Sequence, residues 1–75
     1  MNRKTYHVTL VRSAWRVKCA GAVRADSMHE RKSQAIARAR QLATKSVLGQ
    51  VTVHGRDGRI QAEYTYGEDP PRFPG

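Results

Sequence analysis

Seventy-five residues leave room for one small domain with a single thin core, near the lower size at which burial offsets chain entropy, and this argues against a deep, enclosed active-site cavity. Fourteen Lys and Arg against six Asp and Glu give a net charge of +8, so the surface attracts polyanions, with nucleic acid, DNA or RNA, as the first partner class. Asp26 and Glu30 are the only acids before residue 51, so the excess charge belongs to the first two thirds of the chain.

Residues 4–11, KTYHVTLV, alternate Tyr6, Val8 and Leu10 with His7, Thr9 and Val11, the period of a strand with one buried face. After a short polar turn at Arg12-Ser13-Ala14, residues 15–19, WRVKC, alternate again and send Trp15, Val17 and Cys19 inward and Arg16 and Lys18 outward. This pair reads as a β-hairpin. Residues 20–29 read as a crossing segment, with a short additional strand expected, if at all, around Ala22–Arg24.

From Arg31 to Lys45 the chain is rich in Ala, Arg, Gln and Leu and lacks Gly and Pro, which predicts a helix. Ala35, Ile36, Ala39, Leu42 and Ala43 recur at steps of three and four and form its core face. Gly49 is placed to end that helix after a last turn through Val47 and Leu48. Val51 and Val53, then Ile60, Ala62, Tyr64 and Tyr66, alternate with polar residues and predict a second hairpin. The expected fold is α+β: an antiparallel sheet of four strands, five if the crossing segment contributes one, in β-β-α-β-β order with one amphipathic helix on one face. Residues 1–67 form the compact domain, with residues 68–75 an extended Pro- and Gly-rich tail. Trp15, Val17, Ile36, Leu42, Val53, Ile60 and Tyr64 are expected among the most buried side chains.

The stretch HGRDGRI, His54–Ile60, is read as a turn before it is read as a binding finger. Asp-Gly between two alternating runs is a strong hairpin signal, because Gly58 adopts positive φ without steric cost. Arg56 and Arg59 are secondary phosphate-contact candidates, since Asp57 between them offsets part of their field.

Trp15 after a tight turn, the helical AIARARQLA, VHGRDGRI and the closing YGEDPP together resemble a family of short, uncharacterised bacterial proteins classed as a domain of unknown function. In that family a GW turn, an A-A-R-x-L-A helix, V-H-G-R-D-G-R-I and Y-G-x-D-P recur in this order, and the similarity spans almost the whole chain. Ser13-Ala14 stand where the family has glycines. The resemblance implies a compact sheet-plus-helix domain and implies no activity, substrate or catalytic residue.

On the predicted helix, Arg31, Gln34, Arg38, Gln41 and Lys45 fall at steps of three and four and make a polar stripe without an acid. Such a stripe can follow a phosphate backbone, with the Gln amides able to reach backbone or bases. Arg16 and Lys18, beside His7 and Thr9, would add a basic patch on the open side of the sheet. The expected role is therefore a non-enzymatic nucleic-acid-binding module acting through phosphates. The alternative is an accessory or inhibitor protein docking on an acidic partner, using edge strands and the tail. Monomer and homodimer are both compatible with the pattern.

No cofactor, metal or catalytic residue is expected. His7, His29, His54 and Cys19 lack the paired spacing of zinc sites, and no phosphate-binding loop, nucleophile elbow or dinucleotide fingerprint occurs. Cys19 is read as a small core residue. A lone cysteine, an N-terminus MNRKTYHV without an apolar run, and no stretch near the ~18 apolar residues of a membrane helix make a cytoplasmic protein without membrane attachment the expectation.

Overall fold

The computed structural model describes residues 4–46 and 48–67. The elements follow as β1 (Lys4–Val11), β2 (Ala14–Cys19), β3 (Ser27–His29), α1 (Lys32–Thr44), β4 (Leu48–His54) and β5 (Ile60–Gly67). They build an α+β domain in which α1 lies across a five-stranded sheet of order β3-β2-β1-β4-β5. The tail expected over residues 68–75 lies outside the described residues, as does Val47.

The sheet is mixed, which corrects the antiparallel expectation: β4 runs parallel to β1, pairing Tyr6 with Val51 and Val8 with Val53, whereas the other neighbours are antiparallel. The reason lies in β3. It occupies the outer edge of β2, so the chain leaving the helix finds its free edge at β1. Because α1 carries the chain back across the sheet, β4 sets off in the direction of β1. The additional strand is Ser27–His29 and not Ala22–Arg24; Val23 is almost fully exposed.

Alternation divides each strand between two faces. Tyr6, Val8, Trp15, Val17, Val51 and Val53 point to the helix and are buried, with Val8, Val17 and Val51 wholly so. The helix meets them with Ala35, Ala39 and Ala43, all fully buried, while Ile36 and Leu42 pack on the flanks of this contact and are only half-buried. Residues spaced by four on a straight helix point the same way, and only small ones let the helix axis come this close.

Gly49 completes the close approach. It does not end the helix, as expected from the sequence, but lies in β4, where a Cβ would stand 2.3 Å from the carbonyl oxygen of Ala43. The helix stops at Thr44 with Lys45 as its C-cap, and Leu48 opens β4. Ile60 and Tyr64, expected in the core, are 56% and 46% exposed. Both sit on the edge strand β5, beyond the reach of most of the helix.

The turn between β1 and β2 places Arg12 at φ 61°. A side chain in this left-handed region costs about 1 kcal/mol or more relative to a right-handed conformation.

Candidate functional site

On the face of the sheet opposite to α1, which no described helix covers, the outward residues of β1, β2 and β4 come together. Register pairs His7 with Lys18 and with Thr52, and Thr9 with Arg16. His54 follows Val53 at the end of β4, and its ring reaches His7. With the turn Ala20–Ala22 as one wall, His7, Thr9, Arg16, Lys18 and His54 line a cavity of about 300 Å³. Gly21, at φ 87°, allows the chain to fold into that wall.

Among the described residues the cavity lining contains no acid. Arg16 Nε and Thr9 Oγ1 are buried and make no hydrogen bond. Buried polar atoms are ordinarily satisfied, so this cross-strand pair leaves a donor and a hydroxyl without partners next to the cavity. Burial first, and then the neighbouring His54, hold the His7 imidazole below its ordinary pKa. Cations are disfavoured where Arg16, Lys18 and two imidazoles converge, and among the described residues no group of three His, Cys, Asp or Glu side chains is arranged to hold a metal. Cys19, read as a core residue, is half-buried and free; it packs against the core at the cavity's edge.

The hairpin tip supports this face. His54 Nδ1 lies 3.1 Å from the carbonyl oxygen of Gly58. Gly58, at φ 87°, donates its N–H to Gly55 O at 3.0 Å, and Gly55 donates to Arg59 O at 2.7 Å. Asp57 Oδ1 accepts from the Arg59 N–H, and its carboxylate stands 3.8 Å from Arg59 Nε. HGRDGRI is therefore turn chemistry, as expected, with Arg56 and Arg59 exposed at its rim.

The helix stripe lies on the other side of the molecule. Arg31 is the N-cap of α1 and Lys45 its C-cap, with Gln34, Arg38 and Gln41 between them. This flank borders an open cleft of about 590 Å³ lined in part by Met28, His29, Glu30, Gln34, Arg38 and Gln41. Arg38 Nε donates to Asp26 Oδ2 at 3.0 Å, and this contact holds the Asp26 carboxyl below its usual pKa. Gln34 Oε1 accepts the Arg31 N–H at 3.2 Å, and Gln41 Oε1 accepts from Arg38 at 3.5 Å. Along the helix the stripe has no acid, but the fold brings Asp26 to its middle and Glu30 to its cleft.

The basic residues singled out in the sequence thus fall on two separate surfaces. Arg16 and Lys18 are joined by His7, Thr9 and His54; Arg31, Gln34, Arg38, Gln41 and Lys45 form a charge-mixed flank behind the sheet. His54 was missed as a site residue. Its place beside His7 depends on β4 being the neighbour of β1, and no local pattern states that.

No described helix is long and apolar enough to cross a membrane. No curated protein and no solved structure matches the chain. The model of one family matches residues 6–66, from Tyr6 on β1 to Tyr66 near the end of β5, and so takes in every element described above. The chain belongs to DUF2188, an uncharacterized protein family conserved in bacteria.

Proposed function

We propose that this domain is a non-enzymatic nucleic-acid-binding module that grips phosphates with the open face of its sheet. The observation carrying this reading is the cavity that Lys18, Arg16, Thr9, His7 and His54 line with no acid among the described residues, and where Arg16 Nε and Thr9 Oγ1 are buried without partners. A net charge of +8 brings polyanions to the surface, and this face offers them Arg16 and Lys18 side by side on a paired strand. The helix flank ranks second, because its central cation is already committed to Asp26. Arg56 and Arg59 can add contacts at the rim.

Titration against labelled single- and double-stranded DNA and RNA at several salt concentrations tests this. The double variant Arg16→Gln/Lys18→Gln should weaken binding to every sequence and reduce the slope of log K against log salt by about two, roughly one per lost phosphate contact. Replacing Arg31, Arg38 and Lys45 by Gln should reduce it less. If the wild type binds no nucleic acid at low salt, the reading fails.

A second reading, docking on an acidic protein partner, draws on the outer edge of β5, unpaired among the described residues, with Ile60 and Tyr64 exposed. It calls for fixed stoichiometry and a shallow salt dependence, with loss of binding on Ile60→Ala or Tyr64→Ala.

A further inference from the structure

Hydrogen-bond geometry on the open face sets the protonation pattern of its two histidines. A carbonyl oxygen can only accept, so the contact between His54 Nδ1 and Gly58 O puts the proton of neutral His54 on Nδ1. His54 Nε2 is then an acceptor. It stands 3.1 Å from His7 Nδ1, which must be the donor. The chain of donors therefore runs from His7 through His54 to the turn, and at its other end His7 Nε2 is the ring nitrogen of the pair that neither bond uses, its lone pair left over among the described residues. A proton added there turns an acceptor into a donor and leaves both existing hydrogen bonds intact.

We propose that this relay, together with Thr9, Arg16 and Lys18, forms a proton-coupled receptor for a single tetrahedral oxyanion of the phosphate class, which is bound as His7 Nε2 takes up one proton. The proposal rests on the phosphate-contact reading of the same face and adds its ligand stoichiometry and its linkage to pH. In the free protein the protonated form of His7 is opposed by burial and by His54. The groups facing it act in the same sense: Lys18 directly across on β2, Arg16 one row further, and His54 on β4. Glu63 on β5 is the sole acid sharing this face among the described residues, and Thr52 stands between it and His7 in the register. Cys19 and the turn Ala20–Ala22 close the rim. A bound anion reverses the balance, since its negative charge favours the imidazolium and its oxygens accept the new N–H. Binding and protonation are then reciprocal, each strengthening the other.

Sulfate is the suitable probe, because it keeps its charge between about pH 8 and about pH 5.5, where the imidazole titrates. Calorimetric titration of the whole chain with sulfate, in two buffers of different ionisation heat, should show close to one proton taken up per anion near neutral pH. Affinity should rise as pH falls, by up to about tenfold per pH unit, the limit for one linked proton. Nitrogen-resolved NMR of the imidazoles should find Nδ1–H tautomers on both rings before sulfate is added and a new proton on His7 Nε2 afterwards. His7→Gln should keep weak sulfate binding through Arg16 and Lys18 and lose its dependence on pH. The proposal is overturned if sulfate does not bind, if it binds equally at both ends of the range, or if His7→Gln remains as pH-dependent as the wild type.

A short oligonucleotide separates this outcome from that of the parent reading. If DNA or RNA binds and sulfate shows no proton uptake, the receptor falls and the phosphate-contact reading stands. If sulfate binds with proton uptake and no oligonucleotide binds, the receptor stands for free phosphate groups and the nucleic-acid reading falls.

Discussion

The two faces of one sheet carry opposite chemistry on alternate residues of the same strands. On the helix side Val8, Val17, Val51 and the helix residues Ala35, Ala39 and Ala43 are fully buried, and at Gly49, where helix backbone and strand touch, there is no room for a methyl group. On the other side, one residue along each strand, Thr9, Arg16, Lys18, His7 and His54 surround a cavity and leave polar atoms unpaired. Packing sets the first face and must be satisfied for the domain to exist. The second is rigid because the first is closed, which leaves its side chains available for a ligand.

The sharpest way to break this division is Gly49→Ala. The added carbon would meet backbone, which has no rotamer to move, so a loss of about 3 kcal/mol is expected, at the upper end of overpacking costs. For a domain of this size that lowers Tm by more than about 10 °C in a thermal melt. Anion binding measured below the new Tm should survive. If Gly49→Ala melts with the wild type, the close approach of α1 to β4 is wrong.

Gly58→Val is expected to cost about 2 kcal/mol, because φ 87° is a strained conformation for a β-branched residue although the space around it is open. It also displaces the carbonyl that orients His54. Both faces should therefore respond, with a lower Tm and an altered His54 tautomer in NMR. A variant that keeps its Tm and loses only binding would make HGRDGRI a binding finger after all.

Acidity should affect the open face first. The lowered pKa of His7 means that the unfolded chain takes up a proton more readily than the folded one. Its contribution to stability is complete above the ordinary value of 6.5 and is lost as pH falls from there toward the folded value. Urea midpoints should thus fall between about pH 7.5 and about pH 5.5 in the wild type. His7→Gln should flatten this trend, and an equal fall in the variant would assign it elsewhere.

The smallest effect is expected from Asp26→Asn, which releases Arg38 on the helix flank. Both side chains are partly exposed, so the melting temperature should scarcely change. Nucleic-acid affinity should also stay within about twofold if the open face is the interface. A clear gain in affinity would transfer the interface to the helix flank.

Much of this architecture was legible in single residues. Period-two alternation located β1, β2, β4 and β5, and the spacing of Ala35, Ala39 and Ala43 located the contact face of α1, because both periods come from local backbone geometry. Arg16 and Lys18 were legible as outward residues for the same reason. Ile60 and Tyr64 were misplaced because alternation says which face a residue points to and not whether anything covers that face. The Arg38–Asp26 pair was invisible along the helix, since Asp26 arrives from the segment before β3.

What the sequence by itself determined is four of the five strands, the presence of the helix, the DG turn and the excess of positive charge, all consequences of neighbours in the chain. Only the tertiary structure decided that β4 lies parallel beside β1, and with it that His54 meets His7 above Arg16 and Lys18. Strand order depends on which sheet edge remains free after β3 has docked on β2. That competition is between segments far apart in the chain, so no local period records its outcome.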